Sequence, residues 1–141
     1  MVSSVDSSRI CALVVGINAY EDLPPLQNGV GDAQAVEKEL REIGVERIIS
    51  ASDCTYEQLI DNTNQYLSKL RKGDVALVYV AAHAAMYQNQ NIVLTTTSNK
   101  RNLADTSLRV QLLLIRFATC RVECTRPDAI CIPSPPNAFK R

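Results

Sequence analysis

Two short apolar runs stand out from an otherwise mixed chain. Residues 75–82, VALVYVAA, are unbroken and led by β-branched and aromatic side chains, the make-up of a strand buried on both faces of a sheet. Residues 10–17, ICALVVGI, form a second run of the same kind, closed by Gly16 and Asn18. Between them the period lengthens. Ala33, Val36, Leu40 and Ile43 recur at helical spacing with Glu37, Lys38, Arg41 and Glu42 on the other face, which predicts an amphipathic helix from Asp32 to a stop at Gly44. Residues 47–51 then read as a short strand. Thr55 and Gln58 have capping-box spacing, and Leu59, Thr63, Tyr66, Leu67 and Leu70 mark one face of a second helix ending near Gly73.

Strand, helix, strand, helix, strand is the order of a parallel sheet with right-handed crossovers, so the fold class is α/β. The segment joining the first strand to the first helix, NAYEDLPPLQNGVGD, carries Pro24 and Pro25 and reads as a loop over the C-terminal edge of the sheet. Residues 86–96 suggest a small hairpin about a polar turn at 88–91, and 98–107 a loop. Residues 107–120 hold an apolar block in which Leu108, Leu112 and Ile115 fit a helix and 110–117 fit a strand; a helix passing into a strand is the reading adopted. From 121 the chain has four of its six prolines and no sustained period. The expected organisation is a disordered stretch at 1–9, a domain at 10–120 and an irregular tail at 121–141 outside the core.

The 141 residues suffice for one core, and 15 basic against 15 acidic side chains give no field that would draw nucleic acid or an anionic membrane. No apolar run has the length of a membrane span and residues 1–9 lack the apolar block of a secretion signal, which makes a cytoplasmic setting the default expectation. Five cysteines, at 11, 54, 120, 124 and 131, form no C-x-x-C pair. Free thiols are expected, and the loose C-x3-C-x6-C cluster does not call for zinc. Cys54, ahead of a helix N-terminus, has the setting in which a thiol is activated, with an inert loop thiol as the simpler reading. The glycines of GVGD suggest a phosphate binder, yet neither P-loop nor G-x-G-x-x-G spacing is present.

One residue concentrates the chemistry. His83, the single histidine, directly follows the run 75–82, at the exposed strand end where open α/β sheets carry their sites. Taken together, ALVVGINAYEDLPPLQNGVGDAQAVEKEL and KGDVALVYVAAHA resemble the large-subunit half of caspase-like cysteine peptidases, family C14, over about residues 10–97. Metacaspases and paracaspase-like proteins are nearest in character. The resemblance implies a three-layer α/β sandwich, mostly parallel and flanked by helices, here truncated. It also implies a cysteine endopeptidase with His83 as acid/base and, as nucleophile, Cys120 in LLLIRFATCR, ahead of Cys124 and Cys131.

By the same resemblance the backbone N–H of Ala84, standing where the family has glycine, serves the oxyanion hole. Ala118 stands where the family has an aspartate two residues before the nucleophile. The substrate pocket falls at the end of the first strand, at Asn18, Glu21 and Asp22; no sequence feature ties Asp53 to its rim. Its acids imply cleavage after Arg or Lys. No metal site or cofactor is indicated by the residues, and the family leaves calcium dependence open. The partner is a peptide or protein substrate; absence of the small-subunit half leaves an open edge strand that predicts self-association or pairing with another caspase-like chain. The alternative is a catalytically silent domain that serves as a protein-interaction or regulatory module, which Ala84 and Ala118 both favour.

Overall fold

The structure, a computed structural model, describes residues 6–113 and the backbone of the pair Ile130–Cys131. Its elements in chain order are β1 (Ile10–Gly16), α1 (Gly29–Glu42), β2 (Arg47–Ser52), α2 (Tyr56–Lys69), β3 (Val75–Ala81), β4 (Ala84–Tyr87), β5 (Gln90–Leu94), α3 (Leu103–Thr106), β6 (Ser107–Arg109) and β7 (Ile130–Cys131). A four-stranded sheet runs β2-β1-β3-β7, every neighbouring pair parallel, and a smaller antiparallel sheet runs β4-β5-β6.

Because strand side chains alternate, β1 feeds two cores at once. Its odd residues Cys11, Leu13 and Val15 pack with Leu59, Tyr66 and Leu70 around α2, and its even residues Ile10, Ala12 and Val14 pack with Ala33 and Leu40 of α1. Helices thus cover both faces, and three layers result. All seven residues of β1 are buried, whereas the first three of β3 are not. Both are interior strands, and β1 is the one buried along its whole length. Ile130 and Cys131 pair with β3 beside Val78 and Tyr79, past its exposed or half-buried first residues.

Several local expectations are corrected. Helix α1 begins at Gly29, not Asp32, so GVGD is its first turn rather than its approach. Residues 107–120 do not open as a helix passing into a strand: Ser107–Arg109 pair with β5 first, and 110–113 are helical afterwards. Tertiary pairing with the hairpin overrides the helical period there. Ser7–Arg9 form a 3-10 turn capped by Asp6, within the stretch expected to be disordered. In the region expected to be an irregular tail, Ile130–Cys131 run parallel to β3.

Other signals translate directly. Thr55 Oγ1 accepts from Gln58 N–H while Gln58 Oε1 accepts from Thr55 N–H, a complete capping box. Gly44 ends α1 at φ +96°, a left-handed angle that suits glycine. The hairpin turns at Gln88 and Asn89, both at positive φ. Tyr66 is fully buried on α2, and its hydroxyl reaches the carbonyls of Cys11 at 3.0 Å and Leu77 at 3.2 Å, tying the helix to both β1 and β3. At the N-terminal edge of the sheet the Arg47 guanidinium grips the Asp74 carboxylate with two bonds, of 2.5 and 2.8 Å.

The layer on the α1 side is unusually close. A methyl group at Gly16 would lie 2.6 Å from Gly29 O and 2.7 Å from Ala33 Cβ; one at Gly29 would lie 2.7 Å from Ile17 O and 2.9 Å from Ala81 O. Gly16→Ala is expected to lower stability by an amount at or above the top of the roughly 1–3 kcal/mol range of overpacked cores, measured by urea unfolding. A midpoint unchanged from the parent would mean that α1 does not sit this close. A second expectation concerns acid. Arg47 holds the Asp74 carboxyl below its ordinary range, so the pair's contribution is complete above the unfolded-state value of about 3.9 and drains as pH falls through the lower native value. Asp74→Asn should flatten that acid limb of stability; an identical limb in both proteins would refute the assignment.

Candidate active site

Strands β1 and β3 end side by side, Gly16 opposite Ala81, and Ile17 N–H donates to Ala81 O at 2.9 Å. The loop 18–28 that leaves β1 therefore lies against Ala82 and His83, the two residues that carry the chain from β3 into β4. This neighbourhood joins groups sixty residues apart in sequence. Leu23 is buried with Ile92 and Leu94, which fixes the loop on the hairpin.

His83 is 6% exposed. Its Nε2 lies 2.9 Å from Pro24 O, and since a carbonyl only accepts, the ring hydrogen belongs on Nε2 and the lone pair on Nδ1. Nδ1 is buried and has no hydrogen-bond partner among the described residues. A buried acceptor left alone costs about 1–3 kcal/mol. The arrangement commits Nε2 to Pro24 and leaves Nδ1 aimed away from it, without a partner among the described residues. Tyr20 flanks the ring, centroids 4.7 Å apart and planes tilted by 51°, and its hydroxyl accepts the His83 backbone N–H at 2.8 Å.

The loop itself is pinned. Asp53 Oδ1 accepts from the backbone N–H of Asn18 at 2.7 Å and Ala19 at 3.0 Å, with Asp53 held at φ +47°. Asn18 Oδ1 accepts from Val30 N–H at 3.0 Å, capping the first turn of α1, and Asn18 O accepts from Leu26 N–H. Glu21 N–H donates to Thr96 O at 2.9 Å. The polar backbone of the loop is thereby largely spent on holding Tyr20 and Pro24 in place.

Of the residues singled out from sequence, His83 stands at the end of β3 and Ala84 is the half-buried first residue of β4. Leu94 N–H donates to His83 O, so the ladder bonds of β4 fall on residues 83, 85 and 87, and the N–H of Ala84 turns away from β5. Asn18 is half-buried with its side chain committed to α1, while Glu21 and Asp22 are exposed on the loop. Cys120, Ala118 and Cys124 lie outside the described residues. Cys54 does not have an activated thiol: it is buried, and burial pushes its pKa up to about 11. Burial raises Cys11 as well. Among the described residues no three His, Cys, Asp or Glu side chains gather to hold a metal ion, and no helix is long and apolar enough to cross a membrane.

Sequence reasoning missed Pro24 and Tyr20. The Pro24-Pro25 bond was the available signal, since it offers a carbonyl without an N–H and fixes an extended, rigid turn.

A family model described as a caspase domain, Peptidase C14, matches residues 9–116. The chain belongs to the caspase-domain family. The matched range contains loop 18–28, His83 and Ala84. Among solved structures the chain is similar to the Drosophila initiator caspase Dronc, with a TM-score of 0.58 and 14% identity over 80% of this chain and 43% of that one. At that identity the likeness concerns the fold. The chain thus spans less than half the length of the caspase chain it matches. No curated protein sequence matches it.

The burial of Cys11 and Cys54 within this caspase domain gives a direct expectation. A small disulfide reagent at mildly alkaline pH should leave both unmodified in the native chain and modify both after denaturation, read by peptide mass spectrometry. Rapid native labelling of Cys54 would show that the junction of β2 and α2 is not packed as described.

Proposed function

We propose that this caspase domain is a cysteine endopeptidase in which His83 activates the thiol of Cys120. The observation that carries the reading is the orientation of the imidazole: Nε2 is engaged by Pro24 O and Nδ1 is buried without a partner among the described residues. That is the state a general base needs before it meets a thiol. The thiol proton passes to Nδ1, the thiolate attacks the peptide carbonyl carbon, and the imidazolium returns the proton to the leaving amine. Water then hydrolyses the acyl-enzyme. As charge develops on the ring, the Nε2–H bond to Pro24 O strengthens and steadies the cation.

The N–H of Ala84, directed away from β5, is the proposed oxyanion donor; loss of one such donor typically costs about 3 kcal/mol of barrier. Glu21 and Asp22, exposed beside the end of β1, favour a basic side chain before the cut, the preference of metacaspases and paracaspases. Asn18 serves that pocket indirectly, by holding the loop on α1. Action on peptide or protein substrates in a reducing, cytoplasmic compartment suits a free thiol nucleophile. A second copy or another caspase-like chain, pairing at an open sheet edge, is the proposed partner besides substrate. The second reading, a silent interaction or regulatory module, is favoured by Ala84 in place of glycine and Ala118 in place of aspartate.

Thiol-reactive peptide probes bearing Arg, Lys or Asp beside the warhead separate the two. Stoichiometric labelling of Cys120 by the Arg or Lys probe is expected, slowed by roughly 10²–10⁴-fold in His83→Ala. Labelling spread over several thiols and indifferent to His83 would reject the peptidase in favour of the silent module.

A further inference from the structure

The pair formed by Tyr20 and His83 holds more than a packing contact. The backbone of His83 lies where one sheet hands over to the other: β3 has ended at Ala81 and β4 begins at Ala84. Its carbonyl is already part of the small sheet, accepting from Leu94 N–H at 2.9 Å. In a continued antiparallel pair the His83 N–H would donate back to that strand. It donates instead to a side chain, the Tyr20 hydroxyl, at 2.8 Å. Among the described residues the hydroxyl's own hydrogen has only the Ile17 carbonyl within reach, at 3.5 Å, so its role here is mainly that of acceptor. Burial pushes the Tyr20 phenol pKa upward, which keeps it neutral across the working range.

The same side chain also closes one side of the imidazole, ring against ring at 4.7 Å. Tyr20 cannot drift, because the chain is tied on either side of it: Ala19 N–H to Asp53 Oδ1, and Glu21 N–H to Thr96 O. His83 is thus held at four points, by Leu94 at its carbonyl, Pro24 at Nε2, and Tyr20 at both its N–H and its ring.

We propose that Tyr20 is a positioning residue for His83: its hydroxyl takes the His83 N–H and its ring blocks rotation of the imidazole, so that Nε2 stays on Pro24 O and Nδ1 stays free for the nucleophile. The functional consequence rests on the peptidase reading above, whereas the tautomer and orientation do not. With the hydroxyl gone, the His83 N–H loses its acceptor, the backbone relaxes, and the ring gains access to rotamers in which Nε2 leaves Pro24. A base displaced by about 1 Å loses on the order of tenfold to a hundredfold in rate.

His83 is the sole histidine, so histidine isotope labelling yields one imidazole and its two nitrogen chemical shifts report the tautomer without assignment ambiguity. The parent chain is expected to show the Nε2–H tautomer and a His83 amide that exchanges slowly with solvent. Tyr20→Phe should keep the fold, speed that exchange and mix the tautomers; Tyr20→Leu should do both to a greater degree. Labelling of Cys120 by the Arg probe should slow about tenfold in Tyr20→Phe, with an altered pH profile and unchanged half-saturation in probe. Nitrogen shifts and amide exchange identical in parent and Tyr20→Phe would overturn the proposal. Should the variants fail to fold, a parent His83 amide exchanging at the rate of an open loop would overturn it equally. If the tautomer responds to Tyr20 while Cys120 is never labelled, the positioning stands and the peptidase reading falls.

Discussion

Helix α1 lies so near the ends of β1 and β3 that only a hydrogen fits at Gly16 and at Gly29, where a methyl carbon would come within 2.6–2.9 Å of backbone or Ala33. This close approach is the constraint on which the active-site end of the sheet depends. It puts the first turn of α1 over Asn18, whose side chain then caps Val30. A loop forced to return to that turn within a dozen residues has a narrow choice of paths. Pro24 and Pro25 narrow it further, and Leu23 fixes its outer limb on the hairpin. The carbonyl that meets His83 is therefore placed by the packing of α1 on β1 and β3.

The polar cost of this arrangement is concentrated on one atom. The loop's amides at Asn18, Ala19, Glu21 and Leu26 all find acceptors, and Asp53 accepts from two of them at a strained φ of +47°. Nδ1 of His83 is the exception among the described side chains. Against a net stability of about 5–15 kcal/mol for a domain, an unpaired buried acceptor at about 1–3 kcal/mol is a substantial liability. A histidine whose duty was only structural would sit better with both nitrogens bonded. A side chain retained in a destabilising state, rigidly aimed, fits a group waiting for a reaction partner.

Much of the fold was legible because its signals are local. Thr55 with Gln58, Gly44 at the end of α1 and the polar turn after Tyr87 each specify backbone geometry through a few neighbouring residues. The parallel α/β order followed from the alternation of two periods along the chain, and the three layers from the resemblance to caspase-like peptidases. What was not legible depends on pairing at a distance. Residues 107–109 have helical neighbours in sequence and become a strand because β5 offers a partner; the run at 75–82 looked buried on both faces throughout because its apolar content is continuous, yet its first three residues are not buried. In the site, His83 was visible as the lone histidine at a strand end. Its partners were not, since one is a main-chain carbonyl and the other a tyrosine chosen by contact across sixty positions.

The balance between an enzyme and a silent module turns on which half of the machinery each departure touches. Ala84 in place of glycine alters the freedom of one backbone angle, but its N–H survives and points away from the β4–β5 ladder, as the proposed oxyanion donor requires. Ala118 in place of an acid bears, by the family resemblance, on the proposed nucleophile and not on the proposed base. The proposed base, by contrast, is held on several sides: Nε2 by Pro24, backbone by Tyr20 and Leu94, and the ring buried. On the proposed peptidase reading, the two departures bear on the rate of the reaction and leave the hold on the His83 ring untouched.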